Sequence, residues 1–182
     1  MRFKKILVAA VIGAILLMTA ACGTKENTNE KLYGTAIANL ADDELFAIIN
    51  TSAKNPVLLA TNMTYTDEVN EVAISCDVYY STGDSAKNIG QLESYGTAYP
   101  ISYDDTGIYI GGNHELERYV IADRTGTLEL AEGVYVTYDE NGNDSYTRIT
   151  DGVTESISEE EYLAVWEKYE KAIVVGFKYG AS

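Results

Sequence analysis

Glu115-Leu116-Glu117-Arg118-Tyr119-Val120-Ile121-Ala122-Asp123-Arg124-Thr125-Gly126-Thr127-Leu128-Glu129-Leu130 reads as two extended segments, Glu115–Ala122 and Thr127–Leu130, joined by a four-residue break. Its flanks carry β-branched and aromatic residues, and the break carries residues that tolerate a positive φ, so the unit is an antiparallel hairpin. The same grammar extends both ways. Candidate strands Val57–Tyr65, Val69–Tyr80, Ser94–Tyr103, Gly107–Ile110, Val134–Tyr138 and Ser145–Thr150 are separated by Asp-, Gly- and Asn-rich breaks. Their even spacing indicates hairpins rather than crossovers, and Ser81 to Gln91 reads as a longer, mobile loop.

Two helices bracket this β region. Between Thr35 and Asn50, Ile37, Leu40, Ala41, Leu45 and Ile48 recur at helical spacing, with Asp42, Asp43 and Glu44 outside, and Pro56 marks the change to extended structure. At the other end, Ser158 and Glu161 form a capping box, with Ile157 and Tyr162 placed to close a hydrophobic staple. Tyr162, Leu163, Trp166, Tyr169 and Ile173 then mark the face expected to lie on the sheet, and Ile173 to Tyr179 reads as a short final strand. The expected fold class is α+β: an N-terminal helix, a curved antiparallel meander sheet of six to eight strands, and a C-terminal helix packed on the sheet.

Ahead of this domain, Arg2, Lys4 and Lys5 precede the apolar run Ile6 to Met18, and Thr19-Ala20-Ala21 brings small residues up to Cys22. Thirteen apolar residues suit a signal-peptide core, whereas a spanning helix needs about 20. The segment resembles the signal peptide of bacterial lipoproteins over residues 1–22, with Thr19 where that family prefers Leu. The resemblance implies cleavage after Ala21, a diacylglyceryl thioether on Cys22, a further acyl chain such as palmitate in many bacteria, and a place at the cell membrane or envelope on the extracytoplasmic side. Two or more chains anchor stably where one does not. The competing reading is an ordinary secretory signal with Cys22 as a passenger. The expected organisation is a signal over residues 1–21, a flexible polar tether over 22–34 and a single α+β domain over 35–182.

The chain has 13 Lys and Arg against 28 Asp and Glu, a formal charge of −15, and removal of the signal takes this to −18. Such a surface repels nucleic acid and anionic headgroups, and points to cations, basic proteins, or neutral sugars and peptides as partners. It is equally an aid to solubility outside the cell. With Cys22 lipidated, Cys76 has no thiol to pair with. It falls on the same face as Val72, Ile74, Val78 and Tyr80, so it is read as a small apolar core residue rather than a nucleophile.

Two constellations resemble chemical sites and stop short. His114-Glu115-Leu116-Glu117-Arg118 begins like the HExxH metalloprotease motif but has Arg118 where the second histidine must ligate zinc. Asp139, Asn141 and Asn143 alternate like calcium ligands, yet Asp144 and Thr150 stand where that loop needs Gly and a bidentate Glu. Asn141-Gly142 is therefore read as a type I′ hairpin turn. Walker, dinucleotide and Gly-x-Ser-x-Gly fingerprints are missing, so no metal, cofactor or catalytic residue is assigned.

Fifteen tyrosines against one tryptophan and three phenylalanines remain to be explained. Tyr95, Tyr99 and Tyr103, alternating with Ile101, are expected on one strand face as a speculative ligand-binding surface for a sugar or protein. Tyr109, Tyr119, Tyr135, Tyr138 and Tyr146 would come from neighbouring strands. Tyrosine is also a good strand former on a half-buried surface. The expected function is a membrane-tethered, non-enzymatic binding or interaction module, with a cell-envelope hydrolase using paired carboxylates as the alternative.

Overall fold

The computed structural model describes residues 28–83 and 85–179. Cys22 and the apolar run before it lie outside them. Among the described residues no helix is long and apolar enough to cross a membrane. The fold is mostly antiparallel β-sheet with two helices, α1 (residues 28–38) and α2 (Glu159–Lys171).

The strands divide between two large sheets and a small hairpin, rather than forming the one meander that the turn spacing suggested. Sheet A has five strands in the order β14 (Lys178–Tyr179), β1 (Leu45–Ile49), β2 (Val57–Thr61), β5 (Ser75–Ser81), β6 (Ala86–Glu93). Sheet B is the hairpin β3 (Tyr65–Asp67) and β4 (Asn70–Val72). Sheet C has seven strands in the order β12 (Val153–Ile157), β11 (Asp144–Thr150), β10 (Thr127–Tyr138), β9 (Glu115–Ala122), β8 (Gly107–Gly111), β7 (Ser102–Asp104), β13 (Ile173–Val174).

Three buried clusters stack these elements in four layers. Between the sheets, Leu45, Ala47, Ile49, Val57, Leu59, Cys76, Val78 and Leu92 of sheet A meet Ile108, Ile110 and Ile121 of sheet C. Outside sheet A, Phe46, Leu58 and Ala60 pack against Tyr33, Leu32, Ala36 and Ile37 of α1. Outside sheet C, Tyr109, Leu116, Val134 and Val136 pack against Tyr162, Val165, Trp166 and Tyr169 of α2. A strand enclosed on both faces shows a continuous apolar run, which is why Leu45–Ile49 imitates part of a helix in the sequence.

That imitation displaced the first helix. The helix expected over Thr35–Asn50 covers residues 28–38, and its second half is the strand β1. The stretch 28–34, expected as tether, is helical, with Tyr33 wholly buried and its hydroxyl donating to the Pro56 carbonyl. Residues 94–101 are no strand, so Ser94–Tyr103 contributes only β7. The expected loop Ser81 to Gln91 is largely β6, paired with β5 from Ser81↔Ala86 to Ser75↔Glu93. Thr127–Leu130 and Val134–Tyr138 are one strand, β10, whose register against β9 shifts between Leu130 and Glu132. The extra residue lets Leu128 and Leu130, then Gly133 and Tyr135, stay on the inner face.

The capping box of α2 is present: the Glu161 amide donates to Ser158 Oγ at 3.2 Å and the Ser158 amide to Glu161 Oε2 at 2.8 Å. Ile157 and Tyr162 both join the cluster beneath the helix. Its buried face is Tyr162, Val165, Trp166 and Tyr169, whereas Leu163 and Ile173 are exposed.

Candidate functional site: a tyrosine and carboxylate ledge

Sheet C is wider than sheet A, and the inter-sheet core reaches sheet C chiefly through β8, β9 and the start of β10. Pairing places Glu115, Glu117, Tyr119 and Ile121 of β9 on the inner face with Gly133 and Tyr135 of β10 and Thr147 and Ile149 of β11. Ile121 is core, while Glu115, Glu117, Tyr119, Tyr135, Thr147 and Ile149 are half-buried. This part of the face is a ledge.

Glu117 organises it. Its carboxylate accepts from the Tyr119 hydroxyl at 2.8 Å and from the Tyr135 hydroxyl at 2.5 Å. Tyr135 reaches back two residues along its strand by lying over Gly133, where an added Cβ would stand 2.6 Å from Tyr135 Oη. Tyr95 arrives from the segment after β6, held by its amide on the Gly111 carbonyl at 2.8 Å, and the residue is 61% exposed. Its side chain lies over Gly112 beside Glu115.

Electrostatics follow from this crowding. Burial pushes the phenols of Tyr119 and Tyr135 well above the ordinary range, and the hydrogen bond to Glu117 and its charge raise them further. Tyr95 is raised by burial and then by the charges of Glu117, Glu115 and Glu93. The ledge offers ring faces and neutral hydroxyls around fixed carboxylates, a surface suited to a hydroxylated or cationic ligand.

Tyr95, Tyr99 and Tyr103 do not share a face. Tyr95 lies on the ledge. Tyr99 turns to the other side of sheet C, where it meets Trp166 edge-on at 5.8 Å between ring centroids and donates to Asn113 Oδ1 at 2.8 Å. Tyr103 sits at the far edge of sheet C, paired with Ile173 and packed against the inter-sheet core. Tyr99 is therefore part of the α2 docking surface, together with Tyr169, whose hydroxyl donates to the Pro100 carbonyl at 3.1 Å.

No family model, curated protein or solved structure matches the chain.

The remaining candidates resolve into structural parts. His114 is exposed in the turn before β9, its ring edge-on to Tyr138 at 5.3 Å. Asp139 accepts from the Asn141 amide, the Asn143 amide and Asn143 Nδ2 at 2.7–2.8 Å, which closes the β10–β11 loop from inside. Only Gly142 there has a positive φ, 81°, and its amide bonds the Asp139 carbonyl, so the turn is type I followed by a left-handed glycine instead of type I′. Among the described residues no three His, Cys, Asp or Glu converge as a metal site would require. Cys76 is 2% exposed, and burial pushes its thiol far up.

Across the sheet from the ledge, Glu132 lies within 3.5–3.6 Å of Arg118, Arg148 and Lys168 and ties β9, β10, β11 and α2 together. Among the described residues the displaced carboxyls are all lowered. Burial raises Asp104, but bonds from Thr106, Tyr109 and Gly107 outweigh it. Hydrogen bonds likewise lower Glu71, Asp123, Asp139 and Glu161. A general acid needs the opposite displacement.

Sequence reasoning had Tyr119 and Tyr135 in view but missed Glu117, which organises them. Its signal was present: Glu115 and Glu117 occupy positions of β9 whose two-residue period continues into Tyr119 and buried Ile121. Acidic residues on an inward-facing stripe are worth singling out.

Proposed function

We propose that the protein is a lipid-tethered, extracytoplasmic binding module, held at the membrane through Cys22 and presenting the Tyr95–Glu117–Tyr135 ledge to a ligand. The ledge carries the reading: an overhanging sheet face with an exposed ring and two phenols fixed on one carboxylate. The ligand class that fits is a neutral, hydroxyl-rich molecule such as a glycan, or a peptide bearing a basic side chain. Rings stack on the first, and Glu115 and Glu117 complement the second. The high negative charge disfavours nucleic acid.

Two experiments test the two halves. Cys22→Ala should release the chain from the membrane fraction or halt it as precursor; unchanged attachment and mobility would sink the tether. Glycan and basic-peptide arrays probed with the chain should give binding that Tyr95→Ala and Tyr135→Phe weaken about tenfold or more. Binding indifferent to both substitutions would remove the ledge as the site.

A further inference from the structure

At the edge opposite β12 the two sheets end unevenly. β14 pairs with Leu45 and Phe46, so among the described residues Ala47–Ile49 of β1 have no partner strand on that side, and beside them sheet C ends at the two-residue β13. The groove between them, about 450 Å³, is lined by Asn29, Phe46, Ile48, Tyr103, Val174 and Lys178. Of the lining residues Ile173 is 59% and Val174 40% exposed, and Tyr179, next to the lining Lys178, is 65% exposed. On this strongly acidic chain the same stretch carries two cations, Lys171, paired with Glu167 at 3.5 Å, and Lys178, 5.8 Å above the Phe46 ring.

Asn29, in the first turn of α1, belongs to the same groove, so the described chain begins there. Five residues, 23–27, separate Thr28 from Cys22, and six steps of at most about 3.5 Å each place any lipid on Cys22 within roughly 20 Å of this edge. We propose that the Ile173–Val174–Tyr179 edge rests on the bilayer surface and sets the orientation of the domain. The proposal rests on the lipidation of Cys22. Apolar side chains would enter the boundary between headgroups and acyl chains, Tyr179 would sit at headgroup level, and the Lys171 and Lys178 stems would lie along the apolar surface with their amines in water. Individually weak contacts suffice, because the anchor holds the edge at a high effective concentration against the membrane.

The test uses the full lipidated chain in phosphatidylcholine–phosphatidylglycerol vesicles containing a doxyl-labelled lipid quencher. Fluorophores are attached at Val174→Cys, at Tyr179→Cys, and at Val153→Cys on β12, the opposite edge of sheet C, where Val153 is 67% exposed. The buried Cys76 leaves one reactive thiol in each variant. Quenching several-fold stronger at 174 and 179 than at 153 is expected. Equal quenching at all three sites, with the chain still sedimenting with the vesicles, overturns the proposal and leaves the anchor intact; an extended peptide on the free β1 edge would be one cause. A chain that does not sediment overturns the anchor and the proposal together.

Discussion

Gly133→Ala should unseat the Tyr135 phenol from Glu117. A Cβ at position 133 would lie 2.6 Å from Tyr135 Oη, 2.9 Å from Cε2 and 3.0 Å from Cζ, closer than such atoms pack, so the ring must swing away. Its 2.5 Å hydrogen bond to the carboxylate goes with it. A hydrogen bond to a charged group contributes about 1.5–3 kcal/mol, and the half-exposed ledge calls for the lower end, about 1.5. Opposing this, alanine in a strand is favoured over glycine by about 0.5–1 kcal/mol, available because Gly133 is not among the positive-φ residues. The net loss is about 0.5–1 kcal/mol, or roughly 1–4 °C in Tm for a domain of this size.

Stability alone would not identify the cause, so the deciding readout is the titration of Tyr135, followed by NMR of labelled tyrosine rings. In the parent chain burial, then the hydrogen bond and charge of Glu117, hold that phenol high. In the variant it should fall toward the ordinary value of about 10. Combined with Tyr135→Phe, which has no hydroxyl to lose, the substitution should show a coupling of about 1 kcal/mol in a double-mutant cycle. An unchanged Tyr135 titration together with additive stabilities would refute the arrangement of the ledge.

Three further outcomes follow from the same geometry. Ser158→Ala removes the acceptor of the Glu161 amide and should cost about 1 kcal/mol in urea unfolding, an unchanged midpoint meaning that α2 is not held by its cap. Glu132→Ala leaves Arg118, Arg148 and Lys168 without their shared carboxylate, which is 13% exposed, and should cost about 1–3 kcal/mol; Glu155→Ala, at an exposed carboxylate, should cost under about 0.5. Equal effects would show that the network is not what joins α2 to the sheet. Stability against pH should form a plateau. Tyr33, Tyr119, Tyr135 and Tyr169 have raised folded pKa values, so their contribution is complete below about pH 10 and is lost as pH rises through the folded values. Glu71, Asp104, Asp123, Asp139 and Glu161 are lowered, so theirs is complete above about pH 4 and is lost as pH falls through the folded values. Denaturation midpoints unchanged at pH 3 and pH 11 would contradict both limbs.

The elements legible in the sequence are those whose signals are local. Glu115–Ala122 coincides with β9, and the Ser158–Glu161 box starts α2 where its chemistry requires. Failures came where burial is two-sided or absent. Leu45–Ile49 is apolar on both faces, because α1 covers one and sheet C the other, so no period of two marks it as a strand. β6, Ala86–Glu93, carries Lys87, Asn88, Gly90 and Gln91 and looks like a loop until β5 supplies its ladder. The ledge is partly legible: Tyr119 and Tyr135 can be placed on neighbouring strands, but which face each takes depends on the register shift between Leu130 and Glu132. That shift is a tertiary fact, set by keeping Leu128 in the core and Val134 under α2 at once.

The tyrosine excess then has a physical account that does not begin with a ligand. The described chain has few cations for its many carboxylates, and three of them, Arg118, Arg148 and Lys168, are gathered on Glu132. Elsewhere phenols take the place of ion-pair partners: Tyr80 donates to Asp123, Tyr109 to Asp104, Tyr119 and Tyr135 to Glu117, and Tyr146 to Asp144. At the half-buried Asp104 and Glu117 such bonds satisfy the carboxylate without a second charge to desolvate. Five of the fifteen tyrosines are thereby structural, and a binding role narrows to rings that fold stability does not use. Tyr95 meets that condition on the ledge, being 61% exposed and donating to none of these carboxylates. A ligand-binding loss from Tyr95→Ala without a stability loss would thus separate recognition from architecture, whereas any loss in Tyr135→Phe mixes the two.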